Sequence, residues 1–192
     1  MKMNNTTTSE KKNVKRNAAA DIVCIGLSAA IIAVCSQIAI PATVPFTLQT
    51  FAIFTVAGLF GAKRGTLSVL VYILLGAVGA PVFAGFTGGI STLLGNTGGY
   101  IIGFVFTALI VGIVSDKFNR KAVPMIISML IGLIVCYAFG TAWFMFVYAR
   151  NTGAVGLGTV LGWCVIPFII PDLIKIACAF IICNRTGKYV KF

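Results

Sequence analysis

Histidine is absent from this 192-residue chain, and carboxylic acids number four, Glu10, Asp21, Asp116 and Asp172. So small a set cannot supply a Ser/His/Asp arrangement, a working carboxylate pair or a metal cluster, so neither catalytic residues nor a metal centre is expected. The six cysteines (Cys24, Cys35, Cys136, Cys164, Cys178 and Cys183) lie in apolar segments without CxxC spacing and read as small buried hydrophobes. The segment GAKRGT beginning at Gly61 lacks the spacing of a phosphate-binding loop, which argues against a self-contained ATP-driven pump. No secretory signal is visible, because the first 17 residues, MKMNNTTTSEKKNVKRN, are polar and basic. They are expected to form a disordered cytoplasmic tail. There is also no internal repeat of the kind that marks an inverted-repeat transporter.

What the chain has in abundance is apolar surface. Hydrophobic residues make up 59%, charged residues 10%, and the mean hydropathy is +1.03. A soluble domain averages near half apolar and a quarter charged, so only an integral membrane protein fits. The net charge of +11 does not point to nucleic acid, because the basic residues sit in short clusters between apolar runs instead of on one folded face.

A spanning helix needs roughly 20 mainly apolar residues. Candidates run over 18–40, 48–62, 65–80, 98–115, 122–148 and 155–183, the last interrupted by Pro167 and Pro171. The expected fold is therefore all-α, one six-helix transmembrane domain over 18–192. Lys and Arg cluster in the tail, at Lys63 and Arg64, between Lys117 and Lys121, and at the C-terminus (Arg185, Lys188, Lys191). With six spans these clusters fall on one side, which the positive-inside rule makes the cytoplasm, together with both termini.

Two features stand out against this background. The first is Gly76 to Gly103, GAVGAPVFAGFTGGISTLLGNTGGYIIG, which holds nine glycines and no charge and is expected to face outward. Such a stretch lets backbone approach a neighbour closely, and suits a lid or pocket wall better than a linker. The second is Asp172 with Lys175 in PFIIPDLIK, three apart and so on one helix face, deep in an apolar run. Ionisable groups at that depth default to function. One reading is a ligand site; the other is a self-neutralising pair holding a kinked helix. Pro171 suggests that a helical segment starts just before Asp172. A carboxylate beside an ammonium offers acceptor and donor together, which matches a neutral amide or urea. Thr47 and Gln49, with Asn96, Thr97, Tyr100, Phe83 and Phe86 of the glycine-rich stretch, are placed to join this pocket; capping and core packing are their alternative roles. In the first helix, Gly26 with Ala30 and Ala29 with Ala33 form small-xxx-small pairs that admit a neighbouring helix.

The motifs PFTLQT, GAPVFAGFTGG, GNTGGY and PFIIPDLIK, in this order over about Pro45 to Ala177, resemble those of the biotin-specific substrate-binding (S) component of energy-coupling-factor (ECF) vitamin transporters, the BioY family. The family carries proline where this chain has Asn96 and glycine where it has Pro171. The resemblance implies a high-affinity biotin-binding subunit, not an enzyme, in the bacterial plasma membrane. Its biotin site would lie near the outer surface. It would bear Asp172, Lys175, Gln49, Thr47, Asn96, Phe83, Gly88 and Tyr100, the first two facing the ureido ring. The biotin carboxylate would fall to backbone N–H groups of the glycine-rich stretch or to Arg150. The resemblance also implies work with a transmembrane coupling protein, docked at Ala29 and Ala33, and two cytoplasmic ATPases that consume ATP, the chain itself carrying no cofactor. A component for a different vitamin and a small glycine-lined channel are the alternatives.

Overall fold

The computed structural model describes the backbone of residues 4–189 and the side chains of residues 18–189. The first three residues, the side chains of the basic tail and Lys191 of the C-terminal cluster lie outside that description. In chain order the elements are α1 (Asn4–Gln37), a two-strand hairpin of β1 (Ala39–Ile40) and β2 (Phe46–Thr47), α2 (Gln49–Ala77), a 3-10 turn (Ala84–Phe86), α3 (Ile90–Leu94), α4 (Gly98–Lys117), α5 (Ala122–Asn151), α6 (Leu157–Cys164) and α7 (Ile166–Thr186). The fold is all-α, as expected. Among the described residues, five helical stretches are long and apolar enough to cross a membrane, the first of them 18–37 within α1 and the last the combined 157–186.

Two of the six expected spans are the two limbs of α2. Gly61 sits at φ 77, ψ −175 inside it, a conformation that a residue with a side chain resists. In a straight helix Gln49 and Tyr72 would stand about 34 Å apart, yet Gln49 Nε2 donates to the Tyr72 hydroxyl at 2.5 Å. A Cβ added to Gly65 would likewise lie 2.8 Å from the Ala57 Cα. Limbs 49–60 and 62–77 therefore fold back on each other about Gly61. The reversal takes one residue and not the expected loop through Lys63 and Arg64, which belong to the second limb. The first limb rises only about 18 Å, short of a ~30 Å apolar core, so its N-terminal end stops inside the bundle.

The last span is also interrupted differently from expectation. The break falls at Val165, φ −127 and ψ −58, and α7 is already under way at Ile166. Pro171 lies within α7, so Asp172 stands about a turn and a half into a helix instead of at its start. Pro171 lacks the N–H that would bond the Pro167 carbonyl, and Pro167 itself sits in the first turn, where no donor is needed.

Central to the bundle is α4, packed against both α2 and α5. Glycine permits this closeness: a Cβ on Gly112 would meet the Ala62 Cα at 2.4 Å, and one on Gly140 would meet the Tyr100 ring at 2.1 Å. Thr107 Oγ1 ties the pair by donating to the Gly132 carbonyl of α5 at 2.9 Å.

Contacts gather the basic clusters at one end. Arg64 pairs with Asp21 at 2.5 Å. Asp116 accepts from the Ala62 N–H at 2.9 Å beside the Gly61 reversal. Arg120 donates to the Leu59 carbonyl at 2.7 Å and the Gly187 carbonyl at 2.6 Å. The glycine-rich segment and the β-hairpin lie at the opposite end of these helices.

Candidate functional site

At that opposite end a cavity of about 290 Å³ opens between the β-hairpin, the first limb of α2, the 83–97 segment and helices α4 to α7. It is mostly apolar, as small-molecule sites are, with a few convergent polar groups. Asp172 and Lys175 face it from α7, only 2% and 6% exposed. Their ion pair, Lys175 Nζ to Asp172 Oδ1, measures 2.7 Å.

Two buried charges persist only when their remaining capacity is satisfied, and the partners are visible. Lys175 Nζ donates to the Thr47 carbonyl at 2.6 Å and to Thr50 Oγ1 at 3.2 Å, and lies 3.9 Å from the Phe46 ring centre. With the bond to Asp172 this engages all three ammonium hydrogens. Asp172 Oδ1 also accepts from Thr50 Oγ1 at 3.1 Å, while Oδ2 accepts from the Tyr137 hydroxyl at 2.5 Å. Oδ2 thus keeps one acceptor position unused, on a residue that lines the cavity.

Gln49 and Thr47 line the cavity too, both buried. Thr47 Oγ1 donates to Gln49 Oε1 at 2.9 Å, and Gln49 spends one amide hydrogen on Tyr72, leaving its second N–H without a partner. Phe83, 1% exposed, covers the cavity and meets the Tyr72 ring edge-on at 5.5 Å. Gly76 makes room for it, since a Cβ there would come within 2.0 Å of that ring. Tyr100 lines the wall with its hydroxyl unpaired.

Six of the eight residues expected to bind substrate therefore surround one cavity. Gly88 and Asn96 do not line it. Gly88 packs on the backbone of Gly79 and Ala80, where a Cβ would sit 2.3 Å from the Ala80 carbonyl oxygen. Around Asn96 the lining is instead supplied by Thr92 and Thr97. Phe86, expected as a cover beside Phe83, is 72% exposed and outside the lining. Arg150 ends α5 with its guanidinium 4.8 Å from the Phe146 ring centre and is likewise absent from the lining.

Thr50, Tyr137, Phe46, Cys136, Cys164 and Phe168 were not singled out from sequence. Thr50 directly follows the motif residue Gln49. Tyr137 lies 35 residues from Asp172 in an unbroken apolar helix, where a tyrosine carries no local signal. The small-residue pair of α1 also differs from expectation. Ala29 is 2% exposed and packs into the core with Ile32, and Ala33 is half-buried. The exposed pair is Gly26 with Ala30, flanked by exposed Ile22, Val23, Leu27 and Val34.

A bundle of apolar helices enclosing a small, mostly apolar cavity with one buried ion pair defines a multi-pass membrane protein that holds a small molecule. Comparison with known proteins narrows this. The BioY family model matches residues 4–192, and the chain belongs to the BioY family. A probable biotin transporter BioY of Pyrococcus horikoshii is 40% identical over 168 residues, 87% of this chain and 96% of that one. The biotin transporter BioY of Thermotoga maritima is 40% identical over 168 residues, 87% of this chain and 95% of its own. Among solved structures, the crystal structure of the S-component for biotin from an ECF-type ABC transporter superposes with TM-score 0.79 at 28% identity, covering 90% of this chain and 93% of that one.

Proposed function

We propose that this chain is the biotin-binding S subunit of an ECF-type importer, a transport protein and not an enzyme. The observation that carries the reading is the buried Asp172–Lys175 pair facing a small-molecule-sized cavity. The ureido ring supplies two N–H groups and a carbonyl. One N–H takes the open position on Asp172 Oδ2, and the carbonyl accepts from Lys175 in place of Thr50, whose 3.2 Å contact is the longest of the three. Gln49 offers its spare N–H beside them. The apolar ring and tail rest against Phe83, Phe104, Ile101 and Phe168, and the carboxylate falls to the hydroxyl-bearing stretch with Thr87, Thr92 and Thr97.

This reading is tested by competition against labelled biotin. Desthiobiotin, which keeps the urea and lacks the sulfur ring, is expected to compete. Lipoate, with a similar acidic tail and no urea, is not; equal competition by both would overturn ureido recognition.

Energy comes from outside the chain in this reading, through a transmembrane coupling protein and two ATPases. The sequence holds no phosphate-binding loop, and the solved neighbour is the S-component for biotin from an ECF-type ABC transporter. The basic end faces the cytoplasm by the positive-inside rule, with both termini there. The coupling protein docks on the exposed face of α1, where Gly26 and Ala30 permit close approach.

A further inference from the structure

The cover of the cavity is fastened to the rest of the bundle chiefly by two side chains at the end of α1. Ser36 Oγ shares its single hydrogen between the Val82 carbonyl of the cover at 2.5 Å and the Ala33 carbonyl of its own helix at 2.6 Å. Gln37 Nε2 donates to the Phe83 carbonyl at 3.1 Å, and Gln37 Oε1 accepts from the Phe86 N–H at 2.9 Å. The two latch residues are themselves joined, Gln37 Nε2 to Ser36 Oγ at 2.8 Å. A primary amide that donates to one peptide and accepts from another imitates a neighbouring strand, and holds the loop in register.

Within the cover, the remaining hydrogen bonds are local. Val82 N–H reaches the Ala80 carbonyl at 2.8 Å, Phe83 N–H the Thr87 carbonyl at 2.9 Å, and Thr87 Oγ1 the Ala84 carbonyl at 3.0 Å. The segment's rear edge is pinned where the Gly89 N–H meets the Gly76 carbonyl at 2.7 Å. Between these points Gly85 and Phe86 follow one another at φ 71 and φ 56. Left-handed backbone is unfavourable for phenylalanine, and the N–H of this residue is the one that Gln37 holds. Phe83, three residues earlier, is the side chain that covers the cavity. Releasing the latch removes the side-chain hold on the Phe86 N–H and leaves Phe83 held by its ring contact with Tyr72 and its local N–H bond to the Thr87 carbonyl.

We propose that Ser36 and Gln37 are positioning residues for the substrate, a latch that sets how fast it enters and leaves. They touch no cavity surface and act through the backbone of 82–86. The latch also joins the cover to α1, a helix packed on α2 and otherwise presenting an open apolar face. Displacement of α1 is therefore transmitted to the cover.

The inference rests on biotin being the substrate, so the probe is biotin on the purified full chain in nanodiscs, with association and dissociation rates measured separately. Gln37→Leu, which removes two bonds to the cover, is expected to raise both rates about tenfold and to move Kd by less than either. Ser36→Ala is expected to shift both rates in the same direction by a smaller factor, and decides the matter alone should Gln37→Leu fail to fold. Unchanged dissociation, or faster dissociation without faster association, would overturn the latch, the second pattern being that of a damaged site. Absence of saturable binding in the unaltered chain would instead overturn the biotin reading itself.

Discussion

At the scale of the residue, the question is what a buried Asp172–Lys175 pair does beyond neutralising itself. An ion pair kept only for structure would be expected to use its whole hydrogen-bonding capacity within the protein. Lys175 does so, but Asp172, which lines the cavity, keeps one acceptor position unused. Removing one partner leaves the other charged and buried, at a cost of several kcal/mol. Asp172→Asn and Lys175→Gln are each expected to weaken biotin binding more than tenfold, over about 1.4 kcal/mol, as read by equilibrium titration. Near-normal affinity in both would reduce the pair to a helix brace. Tyr137→Phe removes a single donor to Asp172 and is expected to weaken binding by about 1 kcal/mol, leaving one site per chain.

The pair was legible in the sequence because its two members are three residues apart on one helix. Its supports were not. Thr50 and Thr47 come from 122 and 128 residues away, and Tyr137 from 35. Only the packing of α2 and α5 against α7 brings them together. Gly88 lies outside the lining for a related reason: glycine in a motif marks a close approach, and here the backbone of Ala80 is approached.

At the scale of the element, the reversal at Gly61 determines where the first limb of α2 ends and so where Thr47, Gln49 and Thr50 stand. Two costs meet in Gly61→Ala: a left-handed backbone, about 1–2 kcal/mol, and an added Cβ 2.1 Å from Asp116 Oδ1. A fall in the thermal midpoint of the detergent-solubilised protein is expected, larger than for Gly26→Ala, whose Cβ would meet nothing within 4 Å. Apolar length and the basic pair at Lys63 and Arg64 made both limbs readable; the position of the turn was not, because nothing in GAKRGT says which glycine takes the positive φ. In the same way Pro167 and Pro171 announced an interrupted last span, while the break itself came at Val165, where α6 gives way to α7. On α1, the exposure of Ala30 and the burial of Ala29 separate two pairs that look alike in sequence. Ala30→Trp is expected to abolish biotin uptake in cells carrying the partner subunits while the purified variant binds biotin normally. Normal uptake would remove this face as the docking surface.

At the scale of the whole molecule, the two ends of the bundle differ. One end holds a covered cavity. The other gathers Asp21 with Arg64, Asp116 with Ala62, and Arg120 with Leu59 and Gly187 into a braced base. The sequence carries no phosphate-binding loop. The chain alone is therefore expected to bind one biotin and to accumulate none in sealed vesicles; accumulation would require the partners and ATP. The central claim is tested most directly by calorimetric titration of the purified chain with biotin, free of any partner. Saturable binding of one biotin per chain, abolished or weakened more than tenfold by Asp172→Asn, is the expected result. No saturable heat with the unaltered, folded chain would contradict it.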